Sequence, residues 1–153
     1  MSESVPVSVV VPCWRCGDTI LRTVESIAAQ TALPQQVILV DDASGDGTAE
    51  MLHALAVRYP NNWITVIEQR ENGGPGVARN AGWEVASSPY IAFLDADDAW
   101  HPKKLELQVA WMEAHPDVVL TGTRTTVRGT LDDLPMAPGS FNVIPITFRR
   151  LLF

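Results

Sequence analysis

The chain has 153 residues, 46% of them hydrophobic and 19% charged, and a net charge of −7. That is enough chain for one globular domain with its own core. The acidic balance excludes an ordinary nucleic-acid binder, which carries a basic patch, but an acidic protein can still hold phosphates through a metal ion and a few local cations.

Met1-Ser2-Glu3-Ser4 is acidic and the apolar run after it is short, so it does not read as a secretory leader. No stretch approaches the roughly 18 apolar residues that span a bilayer. The expected location is cytoplasmic, with membrane association only through a longer parent. Cys13 and Cys16 are the only cysteines. Two are too few for a four-ligand structural zinc site, and in a cytosol they are reduced thiols.

Taken in chain order, strands and helices alternate. Residues 7–11 are a β-branched run ending at Pro12 and predict a buried strand. Residues 19–30 place Ile20, Leu21, Val24, Ile27 and Ala28 at helical spacing. A second strand at 37–40 runs into Asp41-Asp42, and Gly45-Asp46-Gly47-Thr48 turns the chain into a helix reaching about Tyr59. A third strand is predicted at 64–67. The loop Asn72-Gly73-Gly74-Pro75-Gly76 opens a helix over 77–86, and Ser87-Ser88-Pro89 is a turn. A fourth strand at 90–94 leads straight into Asp95, a helix covers 102–115 with Pro102 in its first turn, and a fifth strand is predicted at 118–121. Single helices between strands imply an α/β fold, a mostly parallel sheet with helices on both faces. Residues 123–140 are polar and irregular, and a helix is expected to begin near Ile146. The chain stops in the apolar run Leu151-Leu152-Phe153, which reads as a truncation. The expected organisation is therefore one domain over 1–153, with a ligand-binding core at 5–122 and an irregular stretch with the start of a second-substrate region at 123–153.

Chemistry gathers at the strand ends. Asp41-Asp42 follows the second strand, and Asp95-Ala96-Asp97-Asp98 follows the fourth. In an open parallel sheet ligands bind outside the carboxyl ends of the strands, so both acidic groups are expected to face one crevice. Packed carboxylates repel unless a cation sits among them, and hard oxygen ligands suit Mg²⁺ or Mn²⁺ bound with the help of substrate phosphates. Asp46 reads as turn and capping chemistry. The glycines of the 72–76 loop let backbone approach a ligand closely, and Arg79, one turn into the following helix, can reach a phosphate. Trp14 is either a stacking aromatic for a nucleobase or a partly buried core residue. His101 is either a metal neighbour or a solvent-facing helix-start residue. Lys103 and Lys104 read as a solvated helix face. Cys13-Trp14-Arg15-Cys16 has the spacing of a thiol redox motif, but that reading leaves the acidic groups and the glycine loop unexplained.

Together these segments resemble the family 2 glycosyltransferases of the GT-A fold. The matching pieces run in order: Val7-Ser8-Val9-Val10-Val11-Pro12, then Val40-Asp41-Asp42-Ala43-Ser44-Gly45-Asp46-Gly47-Thr48, then Asn72-Gly73-Gly74-Pro75-Gly76-Val77-Ala78-Arg79-Asn80-Ala81-Gly82, then Phe93-Leu94-Asp95-Ala96-Asp97-Asp98. The resemblance covers about residues 5–122. It implies transfer of a sugar from a nucleoside-diphosphate sugar, a UDP-sugar, to a hydroxyl of a saccharide or lipid-linked acceptor, usually with inversion. It implies that Pro12 and Trp14 border the base, that Asp42 meets the uracil edge, and that Arg79 lies near base and diphosphate. Asp95 and Asp97 are implied as the DxD pair, Asp95 near the ribose and Asp97 on Mn²⁺ or Mg²⁺. Gly74 and Ala96 belong to the same donor-binding set. Where the family more often shows Tyr-Asn, this chain has Cys13-Trp14-Arg15-Cys16, which leaves the nucleotide open. No carboxylate is assigned as the general base. Asp132-Asp133 is too early and too loop-like, and the chain by itself is expected to turn over donor poorly. The alternatives left standing are a nucleotidyltransferase, a non-catalytic nucleotide-binding module and, more remotely, the thiol redox protein.

Overall fold

The computed structural model describes residues 3–123. Strand β1 (Glu3–Cys13) is followed by α1 (Ile20–Ala28), β2 (Ala32–Asp41), α2 (Thr48–Val57), β3 (Ile64–Glu68), α3 (Pro75–Val85), β4 (Tyr90–Phe93) and α4 (Lys104–Ala114). The four strands form one parallel sheet in the order β3-β2-β1-β4. Val9 of β1 pairs with Val37 of β2 on one side and with Ala92 of β4 on the other.

The alternation of side chains along β1 and β2 decides which helix covers which face. Val7, Val9 and Val11, with Val37 and Leu39, pack against Ile20, Val24 and Ile27 of α1, Leu52 and Leu55 of α2, and Leu105 and Val109 of α4. The residues in between, Val10, Ile38 and Val40, pack against Ala78 of α3 on the opposite face. A strand covered on both sides reads as a nearly continuous apolar run, and the one polar residue within 7–11, buried Ser8, is paired through its hydroxyl with Gln36 Oε1 at 3.1 Å. The second layer is thin because α3 approaches closely at Gly82. A Cβ there would lie 2.3 Å from Val10 Cγ1.

The chain steps outward from β1 through β2 to β3, then crosses back to place β4 on the far side of β1. Such a reversal opens a crevice beyond the carboxyl ends of the two strands that flank it. Here those ends lead into Trp14 and into Asp95.

The predicted fifth strand is not present: residues 118–121 have no ladder partner among the described residues. Val119 and Leu120 are 93% and 66% exposed, so this β-branched run lacks the packing that stabilises a strand. Helix α4 begins at Lys104, leaving Pro102 just ahead of it. The expected irregular segment, the helix near Ile146 and Asp132-Asp133 lie outside the described residues.

Candidate functional site

The crevice is a cleft of about 650 Å³. Pro12 and Trp14 reach it from the end of β1, Asp42 from the end of β2, Gly74 and Arg79 from the start of α3, and Asp95, Ala96 and Asp97 from the loop after β4. The eight residues of the expected donor-binding set thus border one space, although they span more than half the chain. A smaller hollow of about 290 Å³ between α1 and α2 is lined mainly by apolar groups such as Ile20, Leu21 and Met51 and offers no such set of polar side chains.

Trp14 is not a core residue. It is 54% exposed at the cleft. Arg15 beside it adopts a left-handed backbone conformation, φ 48°, which an L-residue takes only when its surroundings hold it there. Ser44 supplies that hold: its Oγ accepts from Arg15 N at 3.0 Å, and its carbonyl accepts from Arg15 Nε at 3.4 Å. The Arg15 guanidinium then sits 5.0 Å from the Trp14 ring centroid, within cation–π range.

Asp41 and Asp42 part company, contrary to the expectation that both face the crevice. Asp41 is buried and accepts from Ser44 Oγ at 2.5 Å and from Ser44 N at 3.3 Å. It braces the turn that holds Arg15. Asp42 borders the cleft, but its carboxylate is engaged by the glycine loop, with Oδ1 accepting from Gly73 N at 2.9 Å and Oδ2 from Gly74 N at 2.8 Å. Asn72 Nδ2 donates to the Asp42 carbonyl at 3.0 Å. Gly74 itself has φ 81° and ψ 170°, a combination essentially restricted to glycine. Asp46 does what turn chemistry predicts: its Oδ1 accepts from Thr48 N at 3.1 Å and Thr48 Oγ1 at 2.6 Å. The Thr48 hydroxyl holds its carboxyl below the usual range.

The fixed loop starts α3 and brings Arg79 across the cleft, where its Nη2 lies 2.5 Å from Asp95 Oδ1. Asp95 and Asp97 are exposed and flank buried Ala96. The donor set facing the cleft is therefore two carboxylates two residues apart, and among the described residues no group of three or more His, Cys, Asp or Glu side chains is placed to hold a metal by itself. This set fits a hard ion such as Mg²⁺ or Mn²⁺, which takes one or two carboxylates and completes its shell with phosphate oxygens and water. His101 is not part of it. Its Nδ1 accepts from Lys103 N at 3.2 Å, and it does not border the cleft. Nor is Lys104 fully solvated. It lies 5.2 Å from the Trp100 ring centroid, donates to Thr123 Oγ1 at 2.9 Å, and burial lowers its pKa to about 8.

Arg15, Cys13, Cys16, Thr19 and Asn72 also border the cleft. Cys13, Arg15 and Cys16 belong to the segment around Trp14 and Asn72 to the glycine loop, whereas nothing in the sequence around Thr19 marked it. Both thiols are free and buried. The neighbouring Cys13 thiol lowers the pKa of Cys16, while the same interaction and burial push Cys13 well above the ordinary range.

The sequence profile of Glycosyl transferase family 2 matches residues 8–152. Over 106 residues the chain is 41% identical to the putative teichuronic acid biosynthesis glycosyltransferase TuaG of Bacillus subtilis, covering 69% of this chain and 41% of that protein. It is 36% identical over 107 residues to the UDP-Glc:alpha-D-GlcNAc-diphosphoundecaprenol beta-1,3-glucosyltransferase WfaP of Escherichia coli, covering 70% of this chain and 41% of that one. The matched part thus spans about two fifths of the length of either relative. Among solved structures, S. aureus TarS 1-349 in complex with UDP-GlcNAc is 30% identical with a TM-score of 0.63, covering 72% of this chain and 32% of that one. The mannosyltransferase PcManGT of Pyrobaculum calidifontis, in complex with GDP-Man and Mn²⁺, is 29% identical with a TM-score of 0.64, covering 70% and 32%.

Proposed function

Because the chain belongs to glycosyl transferase family 2, we propose that its cleft binds the nucleotide part of a nucleoside-diphosphate sugar, a UDP-sugar, with Mg²⁺ or Mn²⁺. The sugar would pass to a hydroxyl of a saccharide or lipid-linked acceptor. The observation that carries this reading is the meeting of Trp14, Asp42, Gly74, Arg79, Asp95 and Asp97 around one cleft at the crossover between β1 and β4. The UDP-GlcNAc complex of TarS and the GDP-Man and Mn²⁺ complex of PcManGT support the ligand class.

In this reading the exposed Trp14 ring stacks on the base. Asp42 keeps the glycine loop in the shape that lets backbone approach the nucleotide, and a free lone pair of its carboxylate remains for the uracil edge. Arg79 shares its guanidinium between Asp95 and the diphosphate. Asp97, with Asp95, holds the metal, which when bound supplies Lewis-acid stabilisation of charge on the leaving diphosphate. In the transfer, the bond from the anomeric carbon to the diphosphate oxygen breaks, a bond from that carbon to the acceptor oxygen forms, and the acceptor proton passes to a base. No residue among those described is assigned as that base.

The test is titration calorimetry of UDP with and without Mn²⁺ on the wild type and Asp97→Ala. We expect metal-dependent binding by the wild type and its loss in the variant. No heat and no shift in melting temperature with UDP plus Mn²⁺ would sink the donor-site reading.

A further inference from the structure

The loop from Asp95 to Lys103 runs outside the sheet ladder, so its backbone groups need other partners. Much of that need is met by one face of α1. The Thr23 hydroxyl, fully buried, lies 2.8 Å from the carbonyl oxygen of Ala96 and 2.8 Å from that of Asp98, and donates to one at a time. Arg22 Nη2 donates to the carbonyl of Asp97, which lies between them. Ser26 Oγ donates to the Thr23 carbonyl at 2.7 Å and accepts from Trp100 N at 3.1 Å. Gln30 Nε2 donates to the His101 carbonyl at 2.8 Å, and its Oε1 accepts from Leu105 N at 3.0 Å.

Thr23 and Ser26 stand three residues apart on one side of α1, and Gln30 follows just beyond the end of the helix. They are all buried, immediately beside the apolar stripe of Ile20, Val24 and Ile27. Buried polar side chains cost free energy unless paired, and these three are paired chiefly with the loop and the turn of helix it rests on. From the α1 side Arg22 holds the Asp97 carbonyl and the Thr23 hydroxyl holds that of Ala96 or Asp98 in turn, while Asp95 and Asp97 border the cleft.

We propose that Thr23 and Ser26 of α1, with Arg22 and Gln30, are positioning residues: their polar side chains set the loop so that Asp95 and Asp97 present their carboxylates to a metal at the cleft. This rests on the donor-site reading above. Partners of this kind behind metal-binding carboxylates contribute through ligand orientation, and their loss typically weakens metal binding by about 10–100-fold.

The experiment measures UDP affinity by calorimetry in Mn²⁺ and, separately, in EDTA, for wild type, Thr23→Val, Thr23→Ser and Ser26→Ala, with a thermal melt of each. Thr23→Val keeps the side-chain volume and deletes the hydroxyl. It is expected to weaken UDP binding in Mn²⁺ about tenfold or more while leaving binding in EDTA within about twofold, and Thr23→Ser is expected to restore the wild-type value. A structural role alone would lower the melting temperature and weaken both modes together. That result, or an unchanged Mn²⁺-supported affinity in a variant of a wild type that does bind UDP with Mn²⁺, overturns the proposal. If Thr23→Val does not melt cooperatively, Ser26→Ala carries the same test, since it removes the partner of Trp100 N. Absence of metal-dependent binding in the wild type itself takes down the donor-site reading, and this inference with it.

Discussion

Asp42 holds the glycine loop with both carboxylate oxygens, Oδ1 on Gly73 N at 2.9 Å and Oδ2 on Gly74 N at 2.8 Å. An asparagine there would turn its own buried NH₂ group toward a backbone N–H, leaving that NH₂ without an acceptor. Asp42→Asn is expected to cost about 1–3 kcal/mol of stability, read from the urea midpoint, and to weaken UDP binding because the loop at Gly74 loses its shape. Full wild-type stability in Asp42→Asn would show that the loop does not depend on the carboxylate.

Gly82 is required by contact with Val10. A Cβ placed 2.3 Å from Val10 Cγ1, a side chain with no exposure, must push α3 off the sheet. Gly82→Ala is expected to destabilise by about 1–3 kcal/mol. Val10→Ala makes room for that methyl, so the double variant should lose less than the two single losses combined. Additive losses in denaturant melts would rule out the clash as the cause.

Arg79 pairs with Asp95 on a partly exposed surface. Such pairs contribute about 0–1 kcal/mol to folding, so Arg79→Met should melt close to the wild type. Its effect should appear in binding, because a charge-assisted hydrogen bond to phosphate is worth about 1.5–3 kcal/mol. Calorimetry that finds UDP affinity unchanged would remove Arg79 from the phosphate site.

Lys104 gives a pH dependence with a definite sign. Burial lowers its pKa from 10.5 to about 8. Between those two values the unfolded chain binds a proton that the folded chain does not, so stability contributed by this group rises with pH from about 8 to 10.5. Below that window both states are protonated and the burial penalty is constant. Chemical denaturation across the window should show the rise in the wild type and a flatter profile in Lys104→Met. Identical slopes would assign the effect elsewhere.

The two thiols should react in order. Cys16 borders the cleft, is 8% exposed and has its pKa lowered by Cys13, which is fully buried and raised. Reactivity follows the thiolate, so iodoacetamide is expected to label Cys16 first, and UDP with Mn²⁺ to slow that labelling. Mass spectrometry that finds Cys13 labelled first, or no protection by UDP, contradicts this geometry.

Much of this molecule was legible in its residues. The nearly continuous apolar run of β1 marks a strand covered on both faces, and Ile20, Val24 and Ile27 mark the buried side of α1. The candidate site residues stand just after strand ends or, for Gly74 and Arg79, at the start of the helix that follows one, and in a parallel sheet these positions share one edge whatever the loop lengths. Periodicity of this kind is a local property, set by the geometry of one helix or one strand. The choice between neighbours was not legible. Asp41 and Asp42 are identical side chains one residue apart, yet one braces Ser44 and the other the glycine loop. Thr23, Ser26 and Gln30 look like the solvent side of a helix until the 95–103 loop is laid over them. Lys104 looks solvated until Trp100 and Thr123 meet it. The 118–121 run has the composition of a strand but no partner among the described residues. Local pattern thus determined the elements and the edge at which the chemistry gathers. Which polar groups bind one another, and hence which residues hold the site rather than form it, depended on segments far apart in sequence meeting, because a hydrogen bond is decided by two partners and the sequence around either names only one.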